Sequence, residues 1–93
     1  MASSIYFHEV TTNSSTDETV DLSDYKSISL TNLDSTNSIK LAFDSATASA
    51  TDYATLVASE TLSFSNPGVG STLYAISLAG TPTLRITAEK RVF

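Results

Sequence analysis

Cysteine is absent from these 93 residues, so no disulfide braces the fold and no thiol chemistry is open to it. Tryptophan is absent as well, and the single histidine, His8, cannot assemble a histidine zinc site by itself. Charged side chains are scarce at 16%, below the roughly one quarter usual for soluble domains. No apolar run approaches the roughly 18 residues that a membrane-spanning helix needs, so no membrane role is expected. The opening Met1-Ala2-Ser3-Ser4 has no basic region followed by an apolar run, so no secretory signal is expected and the protein should be made and kept in solution.

What remains is enough for one fold. The length suits a single domain, residues 1–93, whose margin of stability is thin because so small a chain buries only about two-thirds of its unfolded surface. Without disulfides or a metal, oligomerisation or docking on a larger assembly is the remaining route to extra stability. Hydrophobic residues make up 41%, and the mean hydropathy is near zero at +0.04, which is too apolar for a disordered chain. Serine and threonine supply about a third of the residues, so hydroxyls must build much of the polar surface. The net charge of −5 opposes binding to phosphate backbones and argues against nucleic acid as a partner.

Alternation with a period of two dominates the pattern. Ile28 and Leu30 share one face while Ser27, Ser29 and Thr31 take the other; Ile39, Leu41 and Phe43 oppose Lys40. Leu62 and Phe64, then Tyr74, Ile76 and Leu78, then Leu84, Ile86 and Ala88 form further inward rows. Each is expected to be a half-buried antiparallel strand. Weaker strands precede them. Residues 1–11, with Ile5, Tyr6 and Phe7 in succession, suit an arm or a leading strand, and Val20 and Leu22 mark a second; 89–93 is expected to be a C-terminal tail.

Turn residues separate these runs. Asn32 to Asn37 is expected to close a hairpin between the Ile28 and Ile39 strands. Asn66-Pro67-Gly68-Val69-Gly70-Ser71 is expected to form another turn, and Pro82, which has no N–H to donate, belongs in a turn or at the start of a strand. Asp44 to Ala58 allows either a helical turn capped by Asp52 or a loop followed by a strand through Leu56; its threonines and weak amphipathic pattern favour the strand. Six to eight short strands with regular turns predict an all-β fold, a small antiparallel β-sandwich or jelly-roll-like barrel.

Catalytic chemistry finds no footing in this pattern. Nucleophilic catalysis needs a nucleophile, a base and an orienting group that meet; His8 is the only imidazole, and its neighbour Glu9 points to the opposite face of a strand. Asp44, Asp52 and Glu60 lie in polar, turn-like contexts, not in the apolar setting that would raise a carboxyl group for acid–base work. Asp34 and Asn37 share a loop and offer oxygen ligands to calcium, but turn capping accounts for both. No enzyme activity, cofactor or metal is expected. Sugar binding would draw on exposed tyrosines; by parity Tyr74 belongs to the core, whereas Tyr25, opposite in parity to Ile28, is expected to be exposed, and Tyr53 is a further platform.

The runs Ile28-x-Leu30-x-Asn32-Leu33-Asp34 and Ile39-x-Leu41, then Pro67-Gly68 ahead of Thr72-Leu73-Tyr74-Ala75, lead to Ala79-Gly80-Thr81-Pro82-x-Leu84-x-Ile86 at the close. Through these, from about Val20 to Ala88, the chain resembles small β-sandwich virion proteins of tailed bacteriophages, which act as capsid decoration (cement) or minor structural proteins. The resemblance implies a protein made in the host bacterial cytoplasm and carried on the capsid surface of the virion, where it clamps the major capsid protein or other virion subunits. It also implies a homo-oligomer, a trimer at three-fold positions. Under this expectation Ile5, Tyr6 and Phe7, together with Arg91, Val92 and Phe93 at the other end, make the protein–protein contacts. A tail or fibre component and a sugar-binding adhesive module are the alternatives.

Overall fold

The computed structural model describes residues 5–44, 46–47, 53–65 and 72–90. Eight strands follow one another with no helix among the described residues: β1 (Ile5–Thr11), β2 (Glu18–Asp21), β3 (Tyr25–Asn32), β4 (Ile39–Phe43), β5 (Ala54–Leu56), β6 (Thr61–Ser65), β7 (Thr72–Ser77) and β8 (Thr83–Lys90). They form two four-stranded sheets, ordered β1-β8-β3-β6 and β2-β7-β4-β5. Every pairing is antiparallel. The order is that of an eight-stranded jelly roll, in which β1 pairs with β8, β2 with β7, β3 with β6 and β4 with β5. The chain is therefore an all-β sandwich. Residues 5–11 are an integral strand of it, and Glu89 and Lys90 close β8.

The core lies between the two sheets. Ile28, Leu30, Leu84, Ile86 and Ala88 from the first sheet meet Ile39, Leu41, Leu56, Leu73 and Ala75 from the second. The alternation of β3, β4 and β8 sets these rows as expected, because a pleated strand sends successive side chains to opposite faces. β7 differs. Its buried residues are Leu73, Ala75 and Ser77, whereas Tyr74 and Ile76 are half-buried on the outer side and Leu78 beyond the strand is 58% exposed. The inward assignment of Tyr74, Ile76 and Leu78 is thus corrected. Both parities of this strand are apolar, and register decides between them: Leu73 lies opposite Phe43 and Ala75 opposite Leu41, on the inward side.

The segment after β3 is not a hairpin, since β3 and β4 belong to different sheets. Asn32, with no exposed surface, anchors this crossing. Its Nδ2 donates to the carbonyls of Asn37 at 2.8 Å and Leu56 at 3.1 Å, and its Oδ1 accepts from the Asp34 N–H at 3.0 Å. A buried amide with its groups satisfied in this way joins two sheets where a turn residue in a hairpin would face water. Another crossing, between β7 and β8, contains Gly80 at φ +66° and Pro82, buried one residue before β8. Glycine suits this position through its left-handed backbone angle, and a Cβ there would come to 2.5 Å from Asn37 Nδ2 and oblige that amide to shift. Thr12 Oγ1 completes this end by donating to the Pro82 carbonyl at 2.7 Å. The strand through Leu56 forms as expected, while the Asp52 cap and the turn at 66–71 lie outside the described residues.

Candidate functional site

The outward rows of the first sheet form a grid. Ser27, Ser29 and Thr31 on β3 lie opposite Ser65, Ser63 and Thr61 on β6, and Thr87 of β8 lies opposite Ser29. Two of these pairs bond across the strands, Ser29 Oγ with Ser63 Oγ at 2.8 Å and Thr31 Oγ1 with Thr61 Oγ1 at 2.9 Å. Because serine is short, the centre of the face is hollow: an open groove of about 560 Å³ runs over Ser27, Ser29, Ser63 and Thr87, with Ile5 and Glu89 at its rim.

Charge on this face is compensated locally. Arg85 Nη2 lies 2.9 Å from Glu9 Oε2, and Lys26 Nζ lies 3.6 Å from Glu89 Oε1. The strand residues here carry no uncompensated charge, although the chain as a whole is at −5. Beside the grid, on edge strand β1, Ile5 is 52% and Phe7 70% exposed. Two large apolar side chains thus stand open to solvent on one edge of the sheet.

The other expected contact residues part company here. Tyr6 turns to the inner side, packs against the core and stacks on Tyr25 at 4.8 Å between ring centres. His8 shares that side, 5.7 Å from Tyr6, and Glu9 points the opposite way as the alternation requires. Arg91, Val92 and Phe93 lie outside the described residues. Tyr25 is half-buried, not exposed: a bulge between Tyr25 and Ser27 adds one residue, which puts Tyr25 on the same side as Ile28. That burial, with the Tyr6 ring and the carboxylates of Asp24 and Asp21 nearby, pushes its hydroxyl above the ordinary value. Tyr74 is also not a core residue, as its register shows.

The second sheet presents a different exterior. Tyr53 is 57% exposed with Lys40 Nζ 4.2 Å above its ring, beside a small hollow of about 240 Å³ floored by Ala42. Ala42 points outward yet is only 1% exposed. Thr47 donates through its N–H and its hydroxyl to the Asp17 carboxylate, which ties the chain after β4 back toward β2, two strands away.

Of the two loop residues considered for calcium, Asp34 acts as a cap and Asn37 takes part through its backbone. Asp34 Oδ2 accepts from the N–H groups of Asn37 at 2.6 Å and Thr36 at 3.0 Å, and these bonds, Asn37 first, hold its carboxyl below the ordinary range. Among the described residues no three histidine, aspartate or glutamate side chains gather as a metal site would need. Sequence reasoning found the outward hydroxyls of β3 but not their partners on β6, because only the cross-strand register brings the two rows together. Comparison with family models, with curated proteins and with solved structures finds no match to this chain.

Proposed function

We propose that this chain is a structural virion protein, a capsid decoration or cement protein that binds and stabilises the assembled head of a tailed bacteriophage. The observation that carries the reading is the outer face of the first sheet, with Ile5 and Phe7 exposed beside a hydroxyl grid whose charges are compensated. Such a face loses little on being buried permanently against another protein: its charges are already paired and its serines are small. The jelly-roll order agrees with this role, since capsid proteins use that architecture, as do lectins. A fold by itself does not assign a function, so the surface and the sequence resemblance carry the weight. The partner is the major capsid protein or a neighbouring virion subunit, and the protein works on the capsid surface without catalysis or cofactor.

The test is co-sedimentation with assembled heads and with free capsid subunits, followed by gold-labelled antibody imaging of particles. Binding to assembled heads and label spread over them support the reading. Label confined to tails moves the protein to a tail or fibre role, and absence of label from every particle overturns the virion reading. A sugar-binding role draws on one specific observation, the exposed Tyr53 ring beside Lys40. Glycan-array binding that is lost in Tyr53→Ala would establish it in place of the head role.

A further inference from the structure

Strand β1 is an edge of the first sheet, and among the described residues no strand pairs with its outer side. The direction of its backbone groups follows from the ladder. The Thr12 N–H donates to the Pro82 carbonyl at 2.9 Å, one step beyond the Thr11–Thr83 register. Hydrogen-bonded and non-bonded pairs alternate along an antiparallel ladder, so the even residues of β1 turn their N–H and C=O groups to β8. Ile5, Phe7, Glu9 and Thr11 therefore offer theirs to the outside. Natural sheets usually block such an edge with proline, lysine, a bulge or a covering loop. Among the described residues β1 has none of these: it is regular over seven residues, free of proline and lysine, and its one carboxylate is paired with Arg85.

We propose that β1 pairs antiparallel with β1 of a second copy of this chain, making one continuous eight-stranded sheet across a two-fold axis. The register that places Phe7 opposite Phe7 of the second copy uses the free backbone groups, with Ile5 opposite Glu9 on either side of the axis. On the inner side it brings Tyr6 against His8 of the second copy, extending the stack that already joins these rings within one chain. Aromatic cross-strand pairs are among the favourable ones in sheets. Shifting one copy so that His8 meets His8 would instead set Phe7 against Glu9. The compensated charge of the edge matters because two copies at −5 each repel one another elsewhere. The alternative occupant of this edge in a second copy is β6, the opposite edge of the sheet. Its outward row is Thr61, Ser63 and Ser65, which gives Phe7 no apolar partner.

A two-fold pair closes at two copies, whereas a trimer through this edge would need β1 to meet β6 of the next chain, head to tail. The inference is independent of the proposed function, and its test uses the purified chain without capsids. Sedimentation equilibrium of the full chain should show a dimer that dissociates on dilution, and Phe7→Lys should be monomeric over the same range. Because Phe7 is 70% exposed, that variant should keep the far-ultraviolet spectrum of the fold. A second variant does not depend on that behaviour. The chain has no cysteine, so Phe7→Cys can form only an intermolecular disulfide. Hydrogen-bonded antiparallel pairs stand about 5.5 Å apart at Cα, within the range a disulfide spans. Phe7→Cys should cross-link to a dimer under mild oxidation, and Ser63→Cys should not. A monomer at every concentration, a trimer, or efficient cross-linking only through Ser63→Cys overturns the proposal.

Discussion

The outer faces of the two sheets are built oppositely. On the first sheet, small hydroxyls form the face, the charges are paired within it, and the large apolar residues stand apart on edge strand β1. On the second, Tyr74, Ile76 and Ala42 lie on the outer side, and Thr47 is tied to Asp17 on the far side of the sheet. One face is open, the other partly clothed by its own chain. The contrast sets a face that stays open beside an unblocked edge against one that the chain partly covers, and the proposed contacts fall on the open one.

The largest expected effect falls on both faces at once. Asn32→Ala removes the amide that joins the sheets and orphans the carbonyls of Asn37 and Leu56, at a cost of about 3 kcal/mol in urea unfolding. Thr47→Val should come next. It removes a hydroxyl bond to the Asp17 carboxylate and should cost about 2 kcal/mol while leaving self-association through β1 unchanged. The double variant Ser29→Ala with Ser63→Ala breaks an exposed hydroxyl pair on the open face, and its unfolding free energy should change by less than about 0.5 kcal/mol. A loss comparable to that of Thr47→Val would show that the first face is as structural as the second.

The last effect is pH-dependent. Backbone N–H bonds hold Asp34 below its ordinary value near 3.8, from Asn37 first and then Thr36, and the bond from Ser23 does the same for Asp21. A carboxylate depressed in the folded state stabilises the fold above its unfolded value, and that stabilisation is lost as pH falls through the folded value. Thermal melts should therefore show Asp34→Asn below the parent protein at neutral pH. The two should converge as the pH drops beneath the ordinary carboxylate range.

The inner face was legible wherever one parity was polar. Ser27, Ser29 and Thr31 alternate with Ile28 and Leu30, so β3 could turn only one way, and β4 and β8 repeat the logic. β7 was illegible on the same principle, because Leu73 and Ala75 compete with Tyr74 and Ile76, and only the neighbouring strand chooses between them. Size misleads there: the larger side chains went outside. The Asn32–Asn37 segment looked like a hairpin because local pattern shows that two strands are joined, not whether they pair side by side or face each other across a core. Tyr25 was misplaced by a single bulge residue, which reverses parity without altering composition. Of the expected contact residues, Ile5 and Phe7 stand exposed together because they share parity, and Tyr6 between them is turned inward by the same rule.

The nested order of the strands carries a kinetic consequence. Its innermost pair, β4 with β5, joins nearby stretches of chain, whereas Tyr6 must find Ala88 from almost the opposite end. Closing so long a loop costs entropy before any contact repays it, and folds dominated by distant pairings refold in roughly milliseconds to seconds. Among the described strands β1 pairs only with β8, which lies between it and β3. The outermost strand thus carries the largest loop-closure cost of any pairing in the fold, so chain length weighs most heavily on the one ladder that holds the open edge in place.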